Sequence, residues 1–214
     1  MNSRDAYAAL RRLGAPVIRT ADAAAAWRQS TTAASKMLAR LAQAGLVSVV
    51  RHGTWWVDGP VDPYRLPQHL TAPFESYISL QTALQLRGIV EQIPEVFYAA
   101  TLARTQRIKT QTGTFSFHHL APEVFGGYEE SARGVRLATA EKALFDYAYL
   151  SAGRSRLFTS LPELELPAKF RHTKLKRWLA KIPSERSRTI TKQKLEELLA
   201  PAGGRSRHRT TRDR

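Results

Sequence analysis

Residues 20–57 read TADAAAAWRQSTTAASKMLARLAQAGLVSVVRHGTWWV, and the order of elements in this stretch decides the fold of the N-terminal part. Ala21–Trp27 predicts a short helix, Gln29-Ser30 a polar turn, and Thr31–Ala44 a second helix. Ala34, Met37, Leu38 and Leu41 recur at i, i+3, i+4 and i+7, which makes one apolar stripe. Thr32, Ser35, Lys36, Arg40 and Gln43 fall on the opposite face. Gly45 stands where the helix end requires a left-handed residue. Two β-rich runs follow, Leu46–Val50 and Thr54–Val57, joined by Arg51-His52-Gly53. Helix, turn, helix and a two-stranded wing, in that order, predict a winged helix-turn-helix.

The polar face has the chemistry of a major-groove reader. Lys36 and Arg40 suit guanine edges or phosphates, Gln43 suits adenine, and Thr32 and Ser35 suit base edges or phosphate oxygens. Arg51 and His52, at the wing tip, are expected beside a minor groove or the backbone. Winged helices also serve as protein-docking modules, and any exposed helix face is polar. The agreement of charge, turn and wing favours double-stranded DNA as the partner.

Working outward, the 214 residues suit one or two domains with a real core, and 43% hydrophobic content places the chain among globular proteins. The formal charge is +15, which favours a polyanionic partner. That charge is uneven. Residues 1–150 carry 16 Lys+Arg against 12 Asp+Glu, and residues 151–214 carry 17 against 6. The net of +4 before residue 150 and +11 after it puts most of the basic excess away from the winged segment. The absence of cysteine excludes disulfides, thiolate metal sites and cysteine nucleophiles. No apolar run approaches the roughly 18 residues of a membrane helix. The opening MNSRDAYAALRRLG lacks a signal-peptide apolar core. A cytoplasmic protein with no membrane partner is expected.

The wider organisation is α+β: an N-terminal winged helix-turn-helix (1–60), a connector (61–73), a mixed α+β domain (74–202) and a basic C-terminal tail (203–214). A first helix is expected over Ser3–Leu13 with Ser3 as its cap, and Thr20 is the expected cap of the second. Pro63, Pro67 and Pro73 exclude a continuous helix in the connector, whose Tyr64, Leu66 and Leu70 suggest packing on a domain. Ser76–Leu86 reads as a helix, Val96–Ala100 as a buried strand, Thr105–Thr112 as a polar and basic stretch, and Thr114–Leu120 as an alternating strand. Gly126-Gly127 marks a turn and Val135–Ala138 a short strand. Thr139 caps a helix over Ala140–Ser151. Thr173–Lys181 and Thr191–Ala200 are short amphipathic helices, and GGRSRHRTTRDR at the end is expected to be disordered without a partner.

Several segments of the second domain, in order, resemble the AbiEi family. They are Tyr77-Ile78-Ser79-Leu80 with Ala83-Leu84 and Gly88; Ile93-Pro94 before Val96–Ala100; Gly113–Leu120; and Leu137-Ala138-Thr139-Ala140-Glu141-Lys142-Ala143-Leu144-Phe145-Asp146 with Tyr149-Leu150. Ala140 stands where the family commonly has proline, a mild departure at a helix's first turn. The motifs cover about residues 74–150, and the architecture extends over the chain because the family also begins with a winged helix. The family comprises antitoxins and transcriptional regulators of type IV toxin–antitoxin systems, which act in phage defence. The resemblance implies a repressor that binds inverted repeats in its own promoter. It also implies a second domain that neutralises a co-encoded nucleotidyltransferase-type toxin without needing a stable complex, and it does not require a dimer.

Other chemistry is weaker in the sequence. Lys142 and Asp146 form an i, i+4 pair, expected as a surface or half-buried ion pair, with Glu141 near the positive helix end. His118 and His119 alternate along a strand and point to opposite faces, so one ion cannot readily take both. No catalytic residue, metal site or cofactor is expected. Trp55 and Trp56 alternate on the wing strand, one for the winged-helix core and the other exposed or against the second domain. The basic C-terminal region has two readings: a solvated face, or a second polyanion surface on which Lys174, Arg177 and Lys181 share a helix face. The second is slightly favoured. The rivals to a sequence-specific repressor and antitoxin are a charge-driven general nucleic-acid binder, an enzyme acting through Glu141, and an antitoxin that binds its toxin directly.

Overall fold

A computed structural model describes residues 2–152, 161 and 164–200, so the tail expected over 203–214 lies outside the described residues. The chain is mixed α+β, with two sheets. The N-terminal unit comprises α1 (Ser3–Arg11), β1 (Val17–Arg19), α2 (Thr20–Trp27), α3 (Thr31–Gln43), β2 (Ser48–Arg51) and β3 (Thr54–Trp56). Its strands form an antiparallel sheet in the order β1-β3-β2, so Val17–Arg19 adds a third strand to the two that follow α3. The apolar stripe of α3 is buried as the periodicity requires, and Ala34, Met37, Leu38 and Leu41 pack with Leu10, Ile18, Trp27 and Trp55.

Two caps differ from expectation. Asn2, not Ser3, caps α1, because its longer amide oxygen accepts the Asp5 N–H at 2.8 Å. Thr20 is the first residue of α2 rather than its cap. The Asp22 carboxylate accepts the Arg19 N–H at 2.7 Å, and the Thr20 hydroxyl instead accepts the Trp55 indole N–H at 3.0 Å.

The connector holds a 3-10 turn (Pro63–Arg65) and one helical turn, α4 (Pro67–Leu70), each with proline in its first turn. Leu66 and Leu70 are buried. The second domain follows as β4 (Ser76–Ile78), α5 (Leu80–Leu86), β5 (Phe97–Thr101), β6 (Gln106–Thr110) and β7 (Gly113–His119). It continues as β8 (Tyr128–Glu130), β9 (Arg136–Ala138), α6 (Ala140–Ser151), α7 (His172–Ala180) and α8 (Glu185–Leu199). Its mixed sheet has the order β6-β7-β5-β4-β9-β8.

Three expectations are corrected here. Ser76–Ile78 is a strand, not the first turn of a helix. It lies between β5 and β9 in the middle of the sheet, where all three residues are buried, so no alternation marks it. The polar stretch at 105–112 contains β6, a polar edge strand. The last helix starts at Glu185, six residues earlier than expected, behind the Ser184 hydroxyl that accepts the Ser187 N–H.

The register sorts the large sheet into two faces. Ile108, Phe115, Phe117 and Ala99 point to one, and Ser116, His118, Tyr98 and Ala100 to the other. The first face packs on Val50 and Trp56 of the N-terminal sheet together with Leu66 and Leu70, so N-terminal sheet, connector and second domain share one small core. Trp55 and Trp56 thus divide as expected, one into the N-terminal core and one into the junction. The second face carries the main core under α5 to α8.

Candidate nucleic-acid interface

The exposed face of α3 is held by a short chain of local contacts. Arg28 adopts a left-handed conformation (φ 51°) that ends α2, and Gln29 N–H closes on the Ala24 carbonyl at 2.9 Å. Ser30 then caps α3, its hydroxyl accepting the Ala33 N–H at 3.2 Å. No acid stands in the first turn of α3, so the positive end of its dipole is not offset. Gly45 (φ 69°) ends the helix after Ala44. Thr32, Ser35, Lys36, Arg40 and Gln43 are all exposed, as are Arg51 and His52 at the turn between β2 and β3.

None of these seven side chains makes a hydrogen bond or ion pair among the described residues, whereas the nearby acids are engaged. Asp22 caps Arg19. Asp58 takes Arg11 and Arg65, and those hydrogen bonds hold its carboxyl below the ordinary range. The cations of α3 and of the β2–β3 turn are thus unpaired among the described residues.

Lys174, Arg177 and Lys181 lie elsewhere. Leu175 anchors α7 in the main core, in the helix layer across the sheet from α3 and the wing. Lys174 is 3.5 Å from the Glu141 carboxylate. Lys181 follows the last residue of α7 and sets its ammonium 4.1 Å above the Trp178 ring. Only Arg177 of the three has no such partner among the described residues. A further basic residue beside the β2–β3 turn is Arg19, exposed on β1 opposite Thr54. A three-residue strand is too short for its alternation to mark this position in the sequence.

The residues that invite an enzymatic reading are satisfied internally. Lys142 and Asp146 are fully buried, so the expected surface or half-buried pair is corrected. Their helix packs against the sheet, α5, α7 and α8, so residues 141–148 are buried on every side. Lys142 Nζ donates to Asp146 and to the Val124 carbonyl (2.7 Å), and lies 4.5 Å from the Trp178 ring. Asp146 also accepts from Ser79 (2.7 Å) and Tyr77 (3.0 Å). Burial pushes the carboxyl up and the amine down from their ordinary values, against the pull of this pairing. Gly127 (φ 74°) closes over the pair, and a Cβ there would stand 2.5 Å from the Trp178 ring.

Glu141 lines a cleft of about 920 Å³ with Arg87, Glu129, Lys169, Arg171 and Lys174. Burial pushes its carboxyl up, but its own N–H, the Arg171 N–H at 3.0 Å and Lys174 outweigh this and hold it below the usual range. It is an ionised acceptor at neutral pH, not a proton donor.

His118 and His119 face opposite ways. The His118 ring lies 3.0 Å from the Ser116 hydroxyl and is held at about 4 by burial and Arg107, whereas the His119 ring meets the Ala103 carbonyl at 3.1 Å. Among the described residues no group of three or more His, Asp or Glu could hold a metal ion, and no helix is long and apolar enough to cross a membrane. No protein-family model matches the chain, and no curated protein matches it.

Proposed function

We propose that the N-terminal unit is a winged helix-turn-helix that binds double-stranded DNA, with α3 in the major groove. The observation that carries this reading is the unpaired set on one surface: Thr32, Ser35, Lys36, Arg40 and Gln43 on α3, with Arg51 and His52 beside it. The helix supplies base-edge chemistry, and the wing supplies backbone contacts. The order of the segments in residues 74–150 resembles AbiEi antitoxins, and this supports an autoregulatory repressor of a type IV toxin–antitoxin operon. The second domain is then the part that counters a nucleotidyltransferase-type toxin.

Lys36→Ala and Arg40→Ala are each expected to weaken binding to the duplex upstream of the chain's own coding sequence by about 1–3 kcal/mol. The measurement is fluorescence anisotropy at fixed salt, with random duplex as competitor. Unchanged affinity in both variants removes α3 from the interface. Equal affinity for upstream and random duplex returns the protein to a charge-driven binder. For the antitoxin role, co-expression with the product of the adjacent open reading frame should rescue growth. In the full chain, Lys36→Ala/Arg40→Ala should lose repression and still rescue growth. Loss of rescue in that folded variant would assign neutralisation to the α3 surface rather than to the second domain.

A further inference from the structure

The junction face of the N-terminal sheet ends in a strip of polar residues. We propose that the pocket between this strip and the connector binds inorganic phosphate in its hydrogen phosphate form, with Arg19, Arg51, Thr54 and Asp22 as the contacting residues and His69 as the opposite wall. Such a site stands whether or not α3 binds DNA.

Pairing across the sheet sets the strip. Thr54 on β3 lies opposite Arg19 on β1 and opposite Arg51 on β2. Residues directly opposite in an antiparallel pair project on one face, so the three side chains stand side by side, about 5 Å from one strand to the next. Ile18 and Trp55 alternate with them and enter the N-terminal core, whereas Val17 and Trp56, two residues along, enter the junction core. Arg19, Thr54 and Arg51 thus emerge where the junction face runs out of apolar cover. His69 of α4, its ring edge-on to Trp56, lines the pocket from the connector side. With Asp22 of α2, the two sides enclose about 150 Å³.

That volume is below the roughly 300–1,000 Å³ of pockets that take drug-sized ligands and matches about five waters, so the occupant is a small polar group. The donors select an oxyanion. Neither guanidinium has a hydrogen bond or ion pair among the described residues, nor has the Thr54 hydroxyl. Two forked guanidiniums and a hydroxyl match the oxygens of a tetrahedral anion. Burial, with Arg65 and Arg136 nearby, holds the His69 ring below its ordinary value, so that wall is neutral at neutral pH. Asp22 decides among anions. One of its carboxylate oxygens accepts the Arg19 N–H at 2.7 Å, and the other has no partner among the described residues. A carboxylate here repels a ligand that brings only acceptors, such as sulfate or a phosphodiester. Hydrogen phosphate carries an O–H that it can donate to Asp22. A polar group that needs a donor discriminates against an isostere that lacks one.

The test is isothermal titration calorimetry on the full chain at neutral pH and constant ionic strength, with sodium phosphate and sodium sulfate as probes. Phosphate should bind one to one, and sulfate at least about tenfold more weakly. Arg19→Gln and Arg51→Gln should each weaken phosphate binding about tenfold, the low end for a hydrogen bond to a charged group, because both lie at an exposed rim. Asp22→Asn keeps an acceptor for the Arg19 N–H and should bring sulfate to within about threefold of phosphate. Lys109→Gln removes the same charge from an exposed position on β6 and should leave phosphate binding unchanged. A folded wild-type chain without saturable phosphate binding overturns the site, and so do unchanged affinities in both arginine variants. Equal binding of phosphate and sulfate, or a Lys109→Gln loss as large as that of Arg19→Gln, reports charge alone and overturns it too. All four positions are exposed, and matching circular dichroism melts verify that each affinity comes from folded protein.

Discussion

Asp146→Ala should cost about 3–5 kcal/mol of stability, more than any substitution on the exposed face of α3. The carboxylate is fully buried and accepts from Lys142, Ser79 and Tyr77. Its removal strands the Lys142 ammonium in an apolar site with only the Val124 carbonyl as a hydrogen-bond acceptor, together with the faces of Trp178 and Phe145. Stranding one buried charge costs far more than the pair contributes, because desolvation is no longer offset. The double variant Lys142→Met/Asp146→Leu should therefore recover much of the loss. Urea unfolding of the two single variants and the double one measures this as a cycle. A loss near zero for Asp146→Ala would mean that the pair is neutral or hydrated in solution, and the network would lose its structural role.

Trp56→Ala is the second large effect, at about 3–5 kcal/mol. Trp56 is fully buried, yet it belongs to neither large core. Its ring fills the junction, with the Arg65 guanidinium 4.8 Å above it and His69 at its edge. The cavity would open between the two sheets, so the loss should fall on their coupling. Wild type should unfold in one transition, and Trp56→Ala in two that differ between tryptophan fluorescence and circular dichroism. A single unchanged transition with a loss below about 1 kcal/mol would show that the junction is held by other contacts.

The sequence made the N-terminal elements legible because their apolar residues follow a helical period and then a strand period, with punctuation at Ser30 and Gly45. Thr139 likewise announced α6. The misreadings share a cause. Periodicity reports which side of an element meets water, and it is silent where both sides do the same thing. Ser76–Ile78 is buried on both faces, and β6 lies at an edge with polar side chains. The start of α8 is almost wholly exposed, so Glu185–Ile190 offered no stripe. On α6 the opposite happened: charged residues were taken as a water-facing side, but helix and sheet enclose them. Of the candidate interface, the α3 and wing residues were readable from spacing alone. The docking of the β6–β7 hairpin on β2 was not, because it depends on a hydrogen bond between residues 61 positions apart, Val50 and Gln111.

The connector carries a consequence for how this protein can be taken apart or recombined. Leu66 and Leu70 are folded into the same small core as Val50 and Trp56, so the N-terminal unit is not a detachable cassette. Grafted alone onto another protein, it would present Val17, Val50 and Trp56 as an open apolar face, prone to sticking. Within the chain, the same packing acts as a goniometer. It fixes the angle between α3 and the large sheet, so a change in the length of the connector reorients the exposed face of α3 without touching any residue on that face.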